Sequence, residues 1–132
     1  MNSYMGIYPV PGYSPTPPTG GYRVFVKVSE LGNTFHPHTA FVFGEESMLT
    51  LNDGYLSIFM SGGTLDDLVG SYHGGSGAFS FADGHAELRR WKTGDFKQKV
   101  VKGSRIGSGY PVANGANNED LGWLRSHTTI LN

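Results

Sequence analysis

The chain contains no cysteine, which excludes disulfide staples, thiolate zinc sites and thiol nucleophiles. It does not exclude export, because a domain of this size can fold without disulfides. Charge is scarce as well. Asp, Glu, Lys and Arg make up 16% of the 132 residues and the formal net charge is −1. There is no basic stripe to neutralise phosphates and no acidic run to form a solvated tail, so nucleic acid is excluded as a partner. No apolar run approaches the ~18 residues of a membrane-crossing helix, and Met1-Asn2-Ser3-Tyr4 does not read as a signal peptide. Nucleophile elbows, phosphate loops, H-E-x-x-H and dinucleotide motifs are all missing. The acidic pairs Glu45–Glu46 and Asp66–Asp67 are sequence neighbours, so on a strand their side chains diverge and do not frame a scissile bond. No catalysis is expected.

Glycine is plentiful, at 20 residues, and suits a loop-rich β protein with a polar but weakly charged surface. The length argues for one domain with one core. Tyr22–Val28 (YRVFVKV) alternates, with Tyr22, Val24, Val26 and Val28 on one face of an expected half-buried strand. Ala40–Phe43 reads as a short buried strand. Met48–Leu51 and Tyr55–Met60 flank Asn52-Asp53-Gly54, and Ala78–Ala82 and His85–Trp91 flank Asp83-Gly84. An Asp-Gly step between β-rich runs predicts a hairpin. Thr64–Val69 predicts one helical turn, Asn118–Arg125 a short capped helix, and Gly103–Asn118 a loop between them. The expected fold is mainly β, α+β at most: an antiparallel sheet of Asp-Gly hairpins with one or two short helices.

Residues 1–21 stand apart from the domain expected over 22–132. Residues 1–10 are apolar and uncharged, and 11–21 (PGYSPTPPTGG) read as an extended, partly polyproline linker. Tyr4, Met5, Ile7 and Tyr8 are the candidate anchors of an arm that docks on a neighbouring subunit or packs on its own domain. Ser14, Thr16 and Thr19, interleaved with proline, are candidate O-glycosylation sites. No N-x-S/T sequon occurs.

His73 to Trp91 reads HGGSGAFSFADGHAELRRW. His73, nine residues, then Asp83-Gly84, followed by His85, Glu87 and Trp91, resembles the C-terminal signature of bacterial prepilin-type, pseudopilin-like proteins. Further segments resemble that family in order: Met1–Gly6, Tyr22–Leu31, Phe41–Glu46, Leu51–Tyr55 with Asn52, Asp53 and Gly54, and Asp120–Leu124. The likeness covers nearly the whole chain. It implies an exported protein built into, or associated with, a pilus-like or secretion-type filament. Family members carry a leader and a long helix ahead of the region that Met1–Gly6 resembles. Without that helix, a sheet face that it would cover is expected to stand open and to favour association with identical subunits, with the arm adding as a strand to a neighbour's edge.

Glu46, Asp53, His73, Asp83 and His85 form a candidate ligand set for a divalent cation such as calcium. The competing reading of the same groups is a polar network pinning the hairpins, with His73 bonded to the Asp83 turn. His36-Pro37-His38 reads as an exposed turn. Trp91, Trp123, Phe79, Phe81 and Tyr55 are either core and interface anchors or the platform of a carbohydrate-binding module. The functional expectation is a structural subunit of an extracellular pilus-like or pseudopilus filament. The alternatives are a secreted module that binds glycans and a non-polymerising accessory protein of a secretion system.

Overall fold

The second of the two Asp-Gly steps closes into a hairpin. In the computed structural model, which describes residues 1–5, 21–100 and 103–131, β3 (Ser76–Phe81) and β4 (Ala86–Arg90) pair antiparallel from Ser76↔Arg90 to Ser80↔Ala86. The turn between them needs its glycine, since Gly84 sits at φ 94°, where a side chain would be strained. β1 (Phe41–Gly44) pairs antiparallel with the other side of β3, giving the sheet order β1-β3-β4. A smaller antiparallel pair joins β2 (Thr64–Leu65) to β5 (Tyr110–Pro111). Short 3-10 turns at Val28–Glu30, Gly94–Phe96 and Gly115–Asn117 and one helix, α1 (Glu119–Ser126), complete the regular structure. The architecture is mainly antiparallel sheet with one helix, as expected.

Period-two alternation sends Gly77, Phe79 and Phe81 to the core face of β3. There Phe79 meets Phe41, Trp91 and Trp123 edge-on. Trp91 is buried and donates Nε1–H to the Gly70 carbonyl at 2.9 Å. Gly77 makes room for that contact: a Cβ there would lie 2.7 Å from the Gly70 oxygen and 3.0 Å from the indole. α1 begins at Asn118, whose Oδ1 accepts from the Asp120 and Leu121 amides and caps the helix. Leu121 and Leu124 then close the core from the helix side. A second, smaller cluster contains Met5, Phe25, Leu31, Phe35 and Ala40.

Three sequence expectations fail for identifiable reasons. Tyr22–Val28 is not a strand with Val26 and Val28 inside; both are exposed, and Phe25 is buried against Phe35 instead. The Glu30 carboxylate accepts the Val26 and Lys27 amides at 2.6 and 3.1 Å, removing two strand donors and bending the chain into the turn at Val28. The first Asp-Gly step makes no hairpin. Thr50 and Leu51 donate back to the Ser47 carbonyl as a turn, while Leu56 bridges in parallel to Asn2. Thr64–Val69 is not helical, because its donors find partners outside the segment: Asp67 N–H on the Ser57 carbonyl and Leu68 N–H on Thr50 Oγ1. Within the expected 103–118 loop, Tyr110–Pro111 forms β5.

One buried carboxylate ties the helix to the sheet. Asp120 is fully buried, and its Oδ2 accepts the Lys92 and Thr93 amides at 2.8 Å each and the Thr93 hydroxyl at 3.0 Å. Arg89 reaches Oδ1 at 3.4 Å from above the Trp123 ring. Removing one partner of such a site leaves buried donors unpaired. Asp120→Ala is therefore expected to lower the unfolding free energy by about 3–5 kcal/mol, read as a drop in the urea midpoint at unchanged m-value.

Candidate functional site

The residues of the family-like signature occupy two separate places. His73 is exposed, and its Nε2 lies 2.9 Å from Glu45 Oε1, while Glu45 Oε2 accepts the Ala78 amide at 3.0 Å. His73 thus pins the turn before β3 to the chain just after β1. It does not bond to the Asp83 turn. Asp83 instead accepts from its own neighbour, with the His85 amide at 3.1 Å and His85 Nδ1 at 2.6 Å from Oδ1. Those bonds hold the Asp83 carboxyl below its ordinary value. The His85 ring stacks flat on Phe81 at 4.3 Å between centroids. Both histidines act as braces of the β3–β4 hairpin.

Asn52, Asp53 and Gly54 lie on a separate exposed loop, where Asp53 Oδ1 accepts the Tyr55 amide at 2.7 Å. The five candidate ligands Glu46, Asp53, His73, Asp83 and His85 are therefore not gathered around one point. Among the described residues no group of three or more His, Asp or Glu side chains is placed to hold a metal ion. His36 and His38 stack on each other at 5.3 Å in an exposed turn.

The structure pairs two carboxyls that the sequence left separate. Glu46 bridges to Val69, which brings it near Asp67. Burial and the neighbouring carboxylates, Asp67 first among them, push the Glu46 carboxyl up to about 7. Burial is also the main cause that raises Asp67 to about 6, against the opposing bond from the Ser57 amide. Glu46 Oε1 is buried without a hydrogen-bond partner. The diverging neighbours Glu45 and Asp66 gave no hint of this pairing across the fold.

Residues 1–5 lie on their own domain. The Asn2 amide donates to the Val42 carbonyl at 2.8 Å, and its side-chain Nδ2 donates to Phe41 and Thr128 carbonyls at 2.9 and 3.0 Å. The Phe25 amide donates to the Tyr4 carbonyl, Met5 bridges to Phe25, and Tyr4 and Met5 are both buried. This part of the arm covers the outer edge of β1. Ile7, Tyr8, Ser14, Thr16 and Thr19 lie outside the described residues.

What stays open is the other face of the β1-β3-β4 sheet. Phe43 pairs across to Ser80, Ser80 to Ala86 and Ala78 to Leu88, so these side chains share the face opposite the core. Phe43 is 57% exposed and Leu88 60% exposed. A groove of about 520 Å³, lined by Glu87–Lys92 and Lys97, runs along β4. Of the rings named as a possible platform, Trp91, Phe79 and Phe81 are buried, Trp123 is sandwiched between Arg89 and His127, and Tyr55 is half-buried. No family model, curated protein or solved structure matches this chain. Among the described residues no helix is long and apolar enough to cross a membrane.

The Glu46–Asp67 pair sets a pH dependence of definite sign. A carboxyl raised above its ordinary value, 4.5 for Glu46 and 3.8 for Asp67, binds its proton more tightly in the folded state. Stability from this source is thus full at low pH and is lost as pH rises through about 6 to 7. His127, lowered from 6.5 mainly by burial, acts oppositely and loses stability as pH falls. Glu46→Gln isolates the first effect. Its melting temperature should match the parent near pH 4 and exceed it by a few degrees at pH 8.

Proposed function

We propose that the chain is a non-catalytic structural subunit of an extracellular, pilus-like or pseudopilus filament, and that identical copies bind one another through the open side of the β1-β3-β4 sheet. The observation that carries this reading is the pair Phe43 and Leu88, large apolar side chains standing exposed on one face of a sheet whose other face is the core. Exposed apolar surface of this kind marks an interaction site. The likeness of His73–Trp91 to the prepilin-type signature points the same way and supplies the filament context.

Magnitudes limit what the face can do alone. Burying about 300 Å² on each of two copies at about 25 cal/mol per Å² amounts to about 15 kcal/mol gross. Association itself costs about 4–15 kcal/mol. The face therefore supports assembly only together with directional contacts. A glycan-binding module is the weaker reading, because four of its five candidate rings are taken up: Trp91, Phe79 and Phe81 pack into the core and Trp123 lies between Arg89 and His127, while the fifth, Tyr55, is half-buried.

Electron microscopy of the purified chain, combined with sedimentation over a concentration series, tests the proposal. Ordered filaments or discrete oligomers are expected, and Phe43→Asp, which touches no core contact, should shift them toward monomer by tenfold or more in concentration. Monodisperse monomers at every concentration would overturn the reading.

A further inference from the structure

Antiparallel pairing fixes where the backbone groups of β4 point. The Trp91 amide donates to the Gly75 carbonyl and the Phe81 amide to the His85 carbonyl. With Gly77↔Arg89 and Phe79↔Glu87 between them, residues 85, 87, 89 and 91 spend their N–H and C=O groups on β3. Ala86, Leu88 and Arg90 then present theirs to the opposite side, where no further strand lies among the described residues. The far edge of β1 is differently placed, for the Asn2 amide and the His127 carbonyl already occupy it. The free stretch of β4 also ends cleanly. The Lys92 amide is held by Asp120 and the Lys92 carbonyl by Lys97 Nζ.

An exposed edge is a template for another strand, and the side chains of this one are complementary to themselves. Only registers that bring Ala86, Leu88 and Arg90 opposite one another let two such edges exchange hydrogen bonds. Centring the pair on Glu87 sets two carboxylates opposite each other, and centring it on Arg89 sets two guanidiniums opposite, each destabilising. Centring on Leu88 sets Leu88 against the partner's Leu88, Glu87 against the partner's Arg89, a guanidinium already held at 3.4 Å by Asp120 that would be shared between the two carboxylates, and Arg90 against the partner's Ala86, which is small enough to leave it room. Glu87 is exposed and has no ion-pair partner among the described residues. In this register all edge-facing amides of Ala86, Leu88 and Arg90 are paired, and the open apolar faces of both copies become one continuous surface.

We infer that two copies of this chain join edge to edge through β4, antiparallel about a two-fold axis at Leu88, into one six-stranded sheet. The inference rests on the assembly reading above and names its repeating contact. Being isologous, the contact closes on a dimer, and the joined Phe43–Leu88 face is what remains to link dimers into a longer array.

The absence of cysteine gives a clean test. Leu88→Cys introduces a single thiol, and Cα atoms facing each other in such a pair lie about 5.5 Å apart, within the ~4.4–6.8 Å that a disulfide spans. Under mild oxidation the Leu88→Cys protein should convert to covalent dimer in buffer and not in urea, while Asn52→Cys, on the exposed distant loop, should not. Glu87→Lys, which sets like charges opposite, should weaken the dimer at least tenfold by sedimentation, and Leu88→Pro, which removes an edge amide without touching the ladder to β3, should do the same. A melting temperature of Glu87→Lys equal to the parent's at dilutions where both are monomeric shows that only association is affected. Equal cross-linking at positions 52 and 88, or assembly indifferent to both Glu87→Lys and Leu88→Pro yet abolished by Phe43→Asp, overturns the edge pairing and leaves the filament reading standing. A chain that is monomeric throughout overturns both.

Discussion

The buried carboxylate of Asp120 is the constraint on which the rest of the molecule depends. It stands at the start of α1 and takes three hydrogen bonds from Lys92 and Thr93, just past the end of β4. Held so, α1 presses Leu121 and Leu124 into the core, and Trp123 lies under Arg89. The same bonds end the strand: past Trp91, whose amide still reaches Gly75, the Lys92 and Thr93 amides are committed to Asp120. The free edge of β4 therefore has a defined length, and its inward-facing Arg89 is fixed in place.

The polar residues of the signature stretch are structural in this fold. His73 and Glu45 join the turn before β3 to the end of β1, and Asp83 and His85 tighten the hairpin turn that Gly84 permits. Each pair is satisfied locally, which is why the candidate ligands stay apart. The groups under electrostatic stress lie elsewhere, where Glu46 and Asp67 share a partly desolvated site. The proposed contacts use the outer sheet face and the β4 edge, which are adjacent. Apolar area supplies most of the gross energy there, and strand pairing supplies direction and register.

Residues 1–5 are part of this economy of surfaces. Asn2 spends its side chain on the carbonyls of Phe41 and Thr128 and its amide on Val42, so the outer edge of β1 is partly occupied. An apolar, uncharged segment reads from the sequence as something that must dock; of it, residues 1–5 dock on the domain that carries them. Among the described residues the sheet keeps a partly occupied β1 edge, a free β4 edge and one open face.

Much of the central hairpin was legible beforehand. The β-rich runs Ala78–Ala82 and His85–Trp91, the Asp-Gly step between them and the Asn118 cap are local signals, and the structure realises all of them because their donors and acceptors meet within a few residues. The two Asp-Gly steps look alike in sequence, yet only Asp83-Gly84 turns a hairpin. Leu56 pairs instead with Asn2, more than fifty positions away, and no local pattern reports that. The strand expected at Tyr22–Val28 yields to Glu30 in the same way, and the helical turn at Thr64–Val69 to Ser57 and Thr50. The sequence by itself determined the class of the fold, the hairpin, the capped helix and the absence of thiol chemistry, since each depends on composition or on neighbours along the chain. Which face stays open, which edge stays free and which carboxyls meet were decided only by the tertiary structure, because each depends on what distant segments bring to the same place.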